Sequence, residues 1–300
     1  MQTPDSLIET IEVRLRDAIG NRVDVQNLVA LSGGDINRAA RVITNHGDYF
    51  AKYNSSEFIE MFSAERDALD EIAATGTVRV PQPVATLQSD TCAGLLLEYL
   101  PLSNRNPNWS ALGERLAQMH SHTADLHGWC RDNTIGATVQ INRQTESWSE
   151  FWRDSRMTPQ LQMAAQNGAP QTLLDAGDEL RRKLDQVFAS HTPQPSLLHG
   201  DLWSGNAGFL EDGTPVIFDP ASYFGDSETD LAMSELFGGF EHAFYHAYTS
   251  ARPADEGYAL RKSVYQLYHL LNHFNLFGGM YASRCEQLMR SILRAIRPQI

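Results

Sequence analysis

Apolar residues follow two different periods in the N-terminal third of the chain. They recur at a helical period over residues 5–19 and again over residues 57–74, which predicts two amphipathic helices. Five shorter apolar stretches bounded by turn residues predict strands, at Val25–Leu31, Ala39–Thr44, Tyr49–Tyr53, Pro83–Leu87 and Ala93–Leu100. Together these elements predict a compact α+β unit, a small antiparallel sheet with one helix inserted after its third strand.

The remainder of the chain has a mainly helical pattern. Helical periodicity occupies most of the region from Glu228 onward and three earlier segments, Ser110–His120, Trp148–Met157 and Leu174–Ala189. The polar run Ser103–Asn108 separates these helices from the strands and predicts a connection. The sequence therefore predicts an N-terminal lobe over residues 1–101 and a C-terminal lobe over residues 102–300.

One stretch within the helical part, Ser196–Phe218, has the pattern of a hairpin. Leu197–His199 and Pro215–Phe218 are short and apolar, and the turn Glu211–Gly213 lies between them. The run HGDLWSGN over residues 199–206 falls inside this stretch. An Asp or Asn beside Gly is usually only a turn former, so this run becomes informative only through partners elsewhere in the chain.

Composition and charge limit the classes of partner. The chain has 300 residues, a formal net charge of -13 and no long Lys/Arg run, so we expect no nucleic-acid partner. No apolar run approaches the roughly 18 residues of a membrane span, and the N-terminus lacks a secretory pattern. The three cysteines include no C-x-x-C pair, which fits a reducing compartment. We expect a cytoplasmic protein without a membrane partner, and the oligomeric state is left open.

Three polar residues of the C-terminal part are of the types that phosphoryl transfer requires. Such transfer to an alcohol needs a carboxylate that accepts the hydroxyl proton and oxygen ligands that hold Mg²⁺. Asp201 lies five residues before Asn206, and Asp219 follows the predicted hairpin. This is the order of base, metal-binding amide and metal-binding carboxylate in protein-kinase catalytic cores. We therefore expect Asp201 to be the base, and Asn206 and Asp219 to bind Mg²⁺.

Residues of the N-terminal part supply candidates for ATP binding. Lys52 lies on the third predicted strand and could hold the α- and β-phosphates, while Glu65 on the following helix could pair with it. Gly33 and Gly34 join the first two strands, where their backbone N–H groups could approach phosphate without a side chain intervening.

The end of the fifth predicted strand supplies candidates for adenine binding. Glu98, Tyr99 and Leu100 lie where the hinge of a kinase offers backbone groups to adenine. We expect contacts there to be made mostly by the backbone.

Several runs in the chain resemble one family. HGDLWSGN at 199–206, DPASYFGDSETDLAM at 219–233 and LFGGF at 236–240 strongly resemble the fructosamine (ketosamine) kinases, within the wider aminoglycoside-phosphotransferase and choline-kinase group. The similarity extends to Gly33–Asn37 and Phe50–Asn54, and so to nearly the whole chain. The resemblance implies a two-lobed protein-kinase-like fold, ATP with Mg²⁺, and phosphorylation of a sugar-amine adduct, free or protein-bound, on its 3-hydroxyl.

The resemblance also implies roles for individual residues. The five residues that keep the roles given above are Lys52, Glu65, Asp201, Asn206 and Asp219. Asp230 resembles the buried aspartate that braces the catalytic loop, and Trp203 is a candidate wall for the sugar. His199 is predicted to be a hydrogen-bonded structural residue. Gly200 replaces the arginine that precedes the catalytic aspartate of protein kinases, so control by loop phosphorylation is not expected.

Two alternative functions stay open at this point. One is a kinase of another small hydroxyl compound, such as an aminoglycoside, choline or a sugar. The other is an inactive nucleotide-binding pseudokinase, against which the intact set of expected catalytic residues argues. The pairs His242/His246 and His269/His273 have the spacing of helical metal ligands but lack the intervening glutamate of a zinc-protease helix, so we predict ordinary helix positions for them.

Overall fold

The computed structural model describes residues 4–31 and 36–296. Its strands are β1 (Val25–Leu31), β2 (Arg38–Thr44), β3 (Gly47–Asn54), β4 (Pro83–Gln88), β5 (Ala93–Glu98), β6 (Asn133–Ile135), β7 (Thr138–Gln140), β8 (Ser196–Leu197), β9 (Ala207–Phe209), β10 (Pro215–Ile217) and β11 (Phe224–Gly225). Its α-helices are α1 (Pro4–Ile19), α2 (Ile59–Ala74), α3 (Trp109–Met119), α4 (Trp148–Phe151), α5 (Thr158–Gln166), α6 (Gln171–Arg182), α7 (Leu184–Val187), α8 (Glu228–Ser234), α9 (His242–Ala251), α10 (Tyr258–Phe277) and α11 (Ala282–Ala295). A π-helical segment, Trp152–Met157, continues α4, and 3₁₀ turns at Ser56–Phe58 and Gly279–Tyr281 precede α2 and α11.

The chain divides into two compact units. The first comprises the described residues up to Asn108 together with Gly208–Pro220, and the second comprises Trp109–Ala207 and the described residues from Ala221 onward. The connection after residue 101 thus groups with the first unit, and so does the later hairpin segment. Strand and helix patterns, which predict a boundary at residue 101, carry no information on the unit with which a later hairpin packs.

The first unit contains a five-stranded antiparallel sheet in the order β1-β2-β3-β5-β4. All five predicted strands are present, although β5 ends at Glu98 rather than at Leu100. The predicted helix α2 follows the third strand. The expected α+β fold class is therefore confirmed.

Helix α1 covers one face of this sheet, and Lys52 lies on the other face. A cluster of buried apolar residues joins the helix to the strands: Leu7, Ile11, Leu15, Val42, Ala51, Leu87, Cys92 and Leu96. Burying each of the larger side chains contributes about 1.5–3 kcal/mol to stability. Because side chains alternate across a strand, Lys52 points away from the cluster that contains Ala51. It meets α2 on the opposite face of the sheet.

The hairpin predicted within 196–218 forms with a different partner strand. β10 pairs with β9, whereas β8 pairs with β11. The prediction that Leu197–His199 pairs with Pro215–Phe218 is therefore wrong. The different pairing has its physical reason at Gly200, whose φ of +84° ends the extended chain directly after His199. Within the first unit, the backbone N–H of Ile217 donates to the carbonyl of Arg79.

The second unit is mainly helical, as predicted. Helix α10 packs against α5, α8 and α11, and α3 packs against α9. Helices α3 and α9 approach closely at Gly113, where a Cβ would lie 2.3 Å from the carbonyl oxygen of Phe244. Among the described residues, no helix combines the length and the apolarity that crossing a membrane requires. The cytoplasmic location stays a prediction.

A network of ionic groups joins the start of α8 to α10. Asp226 interacts with His191 Nε2 at 2.6 Å and accepts a hydrogen bond from the Tyr265 hydroxyl. Arg261 donates to both carboxylate oxygens of Glu228, each at 2.7 Å. His191, Asp226 and Glu228 form the single group of described residues whose ligand atoms lie close enough together for a metal ion. Arg261 already donates to both oxygens of Glu228, so we interpret the network as a contribution to folding stability rather than as a metal site.

Replacing His191 with Asn is expected to remove part of the pH dependence of stability. Burial lowers the pKa of His191, but its hydrogen bond to Asp226 and the charges of Asp226 and Glu228 outweigh burial and raise that pKa above 6.5. A group whose pKa is raised by folding stabilises the folded state fully at pH values below its unfolded-state pKa. This contribution is lost as the pH rises through the folded-state pKa. The stability difference between wild type and His191→Asn should therefore be largest at about pH 6 and shrink toward about pH 9.

Urea denaturation at several pH values measures this difference. His122→Asn, at an exposed position of the same unit, is the control. A difference for His191→Asn that stays constant over the whole range would contradict the expectation.

Candidate functional site

In the first unit, the Lys52 side chain lies between two carboxylates. Its Nζ donates to both oxygens of Glu65, at 3.1 and 3.0 Å, and lies 3.1 Å from Asp219 Oδ1. Glu65 is buried in α2, whereas the Asp219 side chain is 41% exposed. The structure thus brings three predicted site residues together, and Asp219 is the member of the trio that solvent reaches best.

The trio keeps Lys52 charged between two carboxylates. Burial lowers the pKa of Lys52, but the charges of Asp219 and Glu65 outweigh burial and raise it, so Lys52 stays a cation. Burial raises the pKa of Glu65, which the charge of Lys52 opposes. Within the trio, Lys52 is the group that attracts phosphate oxygens, and a poorly solvated ammonium group does so more strongly than an exposed one, whereas the two carboxylates repel them.

Asp219 adopts an unusual backbone conformation. Its φ of 55° makes it the single non-glycine residue with positive φ in the described part of the chain. This left-handed region costs most L-residues about 1–2 kcal/mol, and Asp and Asn tolerate it best. Strained residues of this kind cluster at functional sites, where the surrounding structure holds them. Here the conformation carries the carboxylate to Lys52.

In the second unit, the loop over residues 199–206 joins Asp201 to Asn206. The side-chain Nδ2 of Asn206 donates to the Asp201 carbonyl oxygen at 2.9 Å and to Asp201 Oδ2 at 3.2 Å. Asn206 is buried, and the Asp201 side chain is 23% exposed. Because the amide nitrogen of Asn206 is directed at Asp201, its oxygen is turned away and can serve as a ligand atom.

Asp230 fixes the backbone immediately before Asp201. Its carboxylate accepts hydrogen bonds from the backbone N–H groups of His199 and Gly200, at 2.7 and 2.8 Å, and pairs with His120 Nε2 at 3.1 Å. Burial by itself raises the pKa of Asp230, but the interactions with His120, His199 and the backbone N–H of Gly200 outweigh it and lower that pKa. A buried carboxylate with these partners is held in one position.

Two histidines support the same loop. His199 Nδ1 accepts a hydrogen bond from the Asp201 backbone N–H at 3.2 Å. His120 follows α3 and bonds through Nδ1 to the Tyr248 hydroxyl at 2.8 Å. Sequence reasoning did not identify His120, because a lone histidine at a helix end has no local signal. Only the fold brings it to Asp230.

Gly200 is required at its position for a steric reason. A Cβ on this residue would lie 2.1 Å from the carbonyl oxygen of Ala221, and its φ of +84° disfavours any side chain. The arginine of protein kinases therefore does not fit before Asp201.

Trp203 forms part of an aromatic surface near Asp201. Its indole lies against Gly205, where a Cβ would approach the ring to 2.3 Å. The ring centroid of Trp203 lies 6.3 Å from that of Phe237, edge to face, and Phe237 lies 4.6 Å from His273. We call Trp203, Phe237 and His273 the aromatic wall. All three side chains are partly exposed, so the wall can contact a ligand.

The residues predicted to bind adenine differ in the backbone groups that they can offer. The N–H of Glu98 donates to the carbonyl of Gln82 at 2.9 Å, and the Glu98 carboxylate pairs with Arg79. Tyr99 and Leu100 follow the end of β5, and the guanidinium of Arg41 lies 4.6 Å from the centre of the Tyr99 ring. Because the Glu98 amide is engaged, Tyr99 and Leu100 are the better candidates for backbone contacts to adenine.

The predicted phosphate-binding glycines, Gly33 and Gly34, lie outside the described residues. The described end of the same connection is tied to β3. Asn54 Nδ2 donates to the Ile36 carbonyl oxygen and to Asn37 Oδ1, both at 3.0 Å. Ile36 and Asn37 are therefore held against the strand that carries Lys52.

His269 is a further residue that sequence reasoning set aside. The sequence predicts an ordinary helix position, but the structure places His269 Nδ1 4.0 Å from Asp201 Oδ1. The side chain is almost fully buried, and its Nδ1 has no hydrogen-bond partner. The spacing of helical residues could not reveal this position, because Asp201 is distant in sequence.

Comparison with known proteins identifies relatives over almost the whole chain. A family model of fructosamine kinases matches residues 7–295. A probable ketoamine kinase of Synechocystis sp. is 41% identical over 292 residues, which cover 95% of this chain and 97% of the relative. The chloroplastic protein-ribulosamine 3-kinase of Arabidopsis thaliana is 36% identical over 281 residues, which cover 93% of this chain and 86% of the relative.

Solved structures show the same relationship. A Haemophilus somnus 129PT protein described as a fructosamine-3-kinase superposes with a TM-score of 0.87 at 31% identity, covering 95% of this chain and 97% of that one. Aminoglycoside phosphotransferase APH(4)-Ia, in a ternary complex with ADP and hygromycin B, superposes with a TM-score of 0.62 at 17% identity, covering 97% and 100%. The second likeness shows a shared protein-kinase-like fold. The chain belongs to the fructosamine kinase family and is an ATP-dependent phosphotransferase that acts on a hydroxyl group.

Proposed function

We propose that the chain phosphorylates the 3-hydroxyl of a ketosamine, a fructosamine or ribulosamine that is free or protein-bound, with Asp201 as the base. The observation that carries this proposal is the Asp201–Asn206 pair, braced by Asp230 and adjoining the aromatic wall, in a chain of this family. Relatives named ketoamine kinase and protein-ribulosamine 3-kinase support the acceptor class.

Asp201 has the contacts expected of a general base. Its Oδ2 accepts from Asn206, and we assign the acceptance of the hydroxyl proton to its carboxylate. In the transfer, the acceptor oxygen bonds to the γ-phosphorus and the bond from this phosphorus to the β–γ bridging oxygen breaks. The hydroxyl proton passes to Asp201, and ADP leaves with the electron pair of the broken bond. A positioned base of this kind accelerates a reaction by about 10²–10⁴-fold.

The remaining residues suit ATP and Mg²⁺. Hard divalent ions prefer oxygen ligands, and the Asn206 amide oxygen and the Asp219 carboxylate are the ligands that we assign to Mg²⁺. When bound, Mg²⁺ neutralises phosphate charge. Lys52, oriented by Glu65, contacts the α- and β-phosphates.

Further contacts to ATP and to the sugar complete this assignment. From their place in the sequence we assign phosphate contacts to Gly33 and Gly34, and we assign adenine contacts to the backbones of Tyr99 and Leu100. The indole face of Trp203 packs against the acceptor sugar, since an aromatic face suits the C–H groups of a sugar ring.

A substrate panel tests the proposal. The protein is incubated with Mg-ATP and fructoselysine, ribuloselysine or a glycated protein, and ADP release is measured together with NMR location of the new phosphate. We expect phosphate on the 3-hydroxyl of at least one adduct. Turnover of choline, an aminoglycoside or a plain sugar, with none for any adduct, would remove the ketosamine assignment and keep the kinase. Absence of ATP turnover with every alcohol would favour the pseudokinase.

Asp219→Asn and Asp219→Ala are expected to differ in stability but not in activity. Both remove the carboxylate, so kcat/KM should fall by about 10²–10³-fold in each. Asparagine tolerates the φ of 55° at this position, whereas alanine does not, so Asp219→Ala should be less stable than Asp219→Asn by about 1 kcal/mol. Steady-state kinetics and urea denaturation measure the two effects. Wild-type activity in Asp219→Asn would exclude the role of this carboxylate.

A further inference from the structure

The buried His269 on α10 is aimed at the proposed base without touching it. Its Nδ1 lies 4.0 Å from Asp201 Oδ1, beyond a direct hydrogen bond, and the residue is only 4% exposed. Nδ1 has no hydrogen-bond partner. Buried polar atoms are rarely left unpaired in folded proteins, so an unpaired atom next to a catalytic group calls for an explanation.

A second buried histidine shows which part of this arrangement is unusual. His127 is 3% exposed, and its Nδ1 likewise lacks a partner. It packs against the ring of Trp148, with centroids 5.0 Å apart. An unpaired Nδ1 alone is therefore not evidence of a site. What distinguishes His269 is the carboxylate that it faces.

The separation of the two groups suits a bridging oxygen. Hydroxyl hydrogen bonds have lengths of about 2.8 Å, so one oxygen can reach two atoms that lie 4.0 Å apart. Such an oxygen would donate its proton to Asp201 and accept a hydrogen bond from an imidazole N–H. Burial, followed by the charge of His273, lowers the pKa of His269 to about 3, so the imidazole is neutral and a poor base. It can still donate through a protonated Nδ1.

We propose that His269 is a substrate contact, whose Nδ1–H donates a hydrogen bond to the acceptor hydroxyl that Asp201 deprotonates. The inference rests on the proposed function and deepens it. One electron pair of the hydroxyl oxygen accepts a hydrogen bond from His269. The hydroxyl proton forms a hydrogen bond to Asp201, and the second electron pair of the oxygen is left for the bond to phosphorus. His269 thereby orients the oxygen and takes no proton. It selects for an acceptor with a hydroxyl that can reach both side chains.

An isosteric pair of variants separates hydrogen bonding from packing. Leu and Asn have the same shape, and the Asn amide places a polar atom near the position of Nδ1. We expect His269→Leu to lower kcat/KM for fructoselysine, or for whichever adduct the wild type prefers, by about 10- to 100-fold. His269→Asn should retain most of the activity, and both variants should keep the wild-type KM for ATP.

The matched controls are His127→Leu and His127→Asn, at the other buried histidine with an unpaired Nδ1. Both should leave kcat/KM for the adduct within about twofold of each other. The inference is overturned if His269→Leu retains wild-type kcat/KM, or if folded His269→Asn loses as much as His269→Leu. Wild-type turnover of the adduct in the same assay tests the proposed function separately. An inactive wild type would count against that function.

A measurement on the wild type covers the case in which the variants do not fold. Protein labelled with ¹⁵N-histidine is titrated with the preferred adduct in the absence of ATP, and the imidazole nitrogens are followed by NMR. We expect the resonance of one buried Nδ1 to shift while that of His127 stays unchanged. Saturation with the adduct, established by calorimetry, without a shift of the His269 Nδ1 resonance would overturn the inference.

Discussion

Asp201→Asn is expected to lower turnover of the acceptor by about 10²–10⁴-fold. The substitution keeps the size of the side chain and removes its ability to accept a proton. The backbone around Asp201 is held by other groups, since Asp230 binds the two preceding N–H groups and His199 Nδ1 accepts from the Asp201 N–H. The loss should therefore appear in kcat rather than in folding.

Three measurements make this expectation specific. Urea denaturation should show that the stability of Asp201→Asn is close to that of the wild type. Calorimetry with Mg-ADP should show unchanged nucleotide affinity, because Asp201 is assigned to the acceptor. The pH profile of kcat should lose its acidic limb, because no carboxylate remains to be protonated. Wild-type turnover in this variant would exclude Asp201 as the base.

Asp230→Ala is expected to cost about 3–5 kcal/mol of stability and to abolish activity. The carboxylate is 1% exposed and is the hydrogen-bond partner of the backbone of His199, the backbone of Gly200 and the ring of His120. Its removal leaves three buried polar groups without this partner, and each unsatisfied group costs about 1–3 kcal/mol. The loop that carries Asp201 should lose its order as a result.

Two further variants separate charge from hydrogen bonding at this position. Asp230→Asn keeps one acceptor oxygen and should lose less stability than Asp230→Ala. Asp175→Ala, at an exposed position of the same unit, should change stability by no more than about 0.5 kcal/mol. Urea denaturation with a probe in the second unit measures all three. A loss of less than about 1 kcal/mol in Asp230→Ala would show that water replaces the carboxylate.

The elements of the fold were predictable because each leaves a local pattern. The strands of the first unit are short apolar stretches between turn residues, and α1 and α2 have apolar residues at a helical period. Pairing between short strands leaves no such pattern. The apolar stretches on either side of the HGDLWSGN run were equally suitable partners for β10, and the choice depended on how the chain turns at Gly200.

The residues of the candidate site also differ in whether the sequence alone could reveal them. The sequence alone makes Lys52, Asp201, Asn206 and Asp219 candidates, because phosphoryl transfer needs these residue types and protein-kinase cores have them in this order. The unusual φ of Asp219 could not be identified, since aspartate is common in every kind of turn. Nor could His120, which pairs with Asp230, or His269, which faces Asp201, because these residues are remote in sequence and come together only in the folded chain.

For this protein, order and spacing along the chain determined the fold class, the family and the type of reaction, because each depends on local periodicity or on a run of neighbouring residues. The tertiary structure alone decided which groups hold the HGDLWSGN loop, why Gly200 tolerates no side chain, and that a neutral imidazole faces Asp201. Those features depend on distances between residues that are remote in sequence, and such distances exist only after the core has packed.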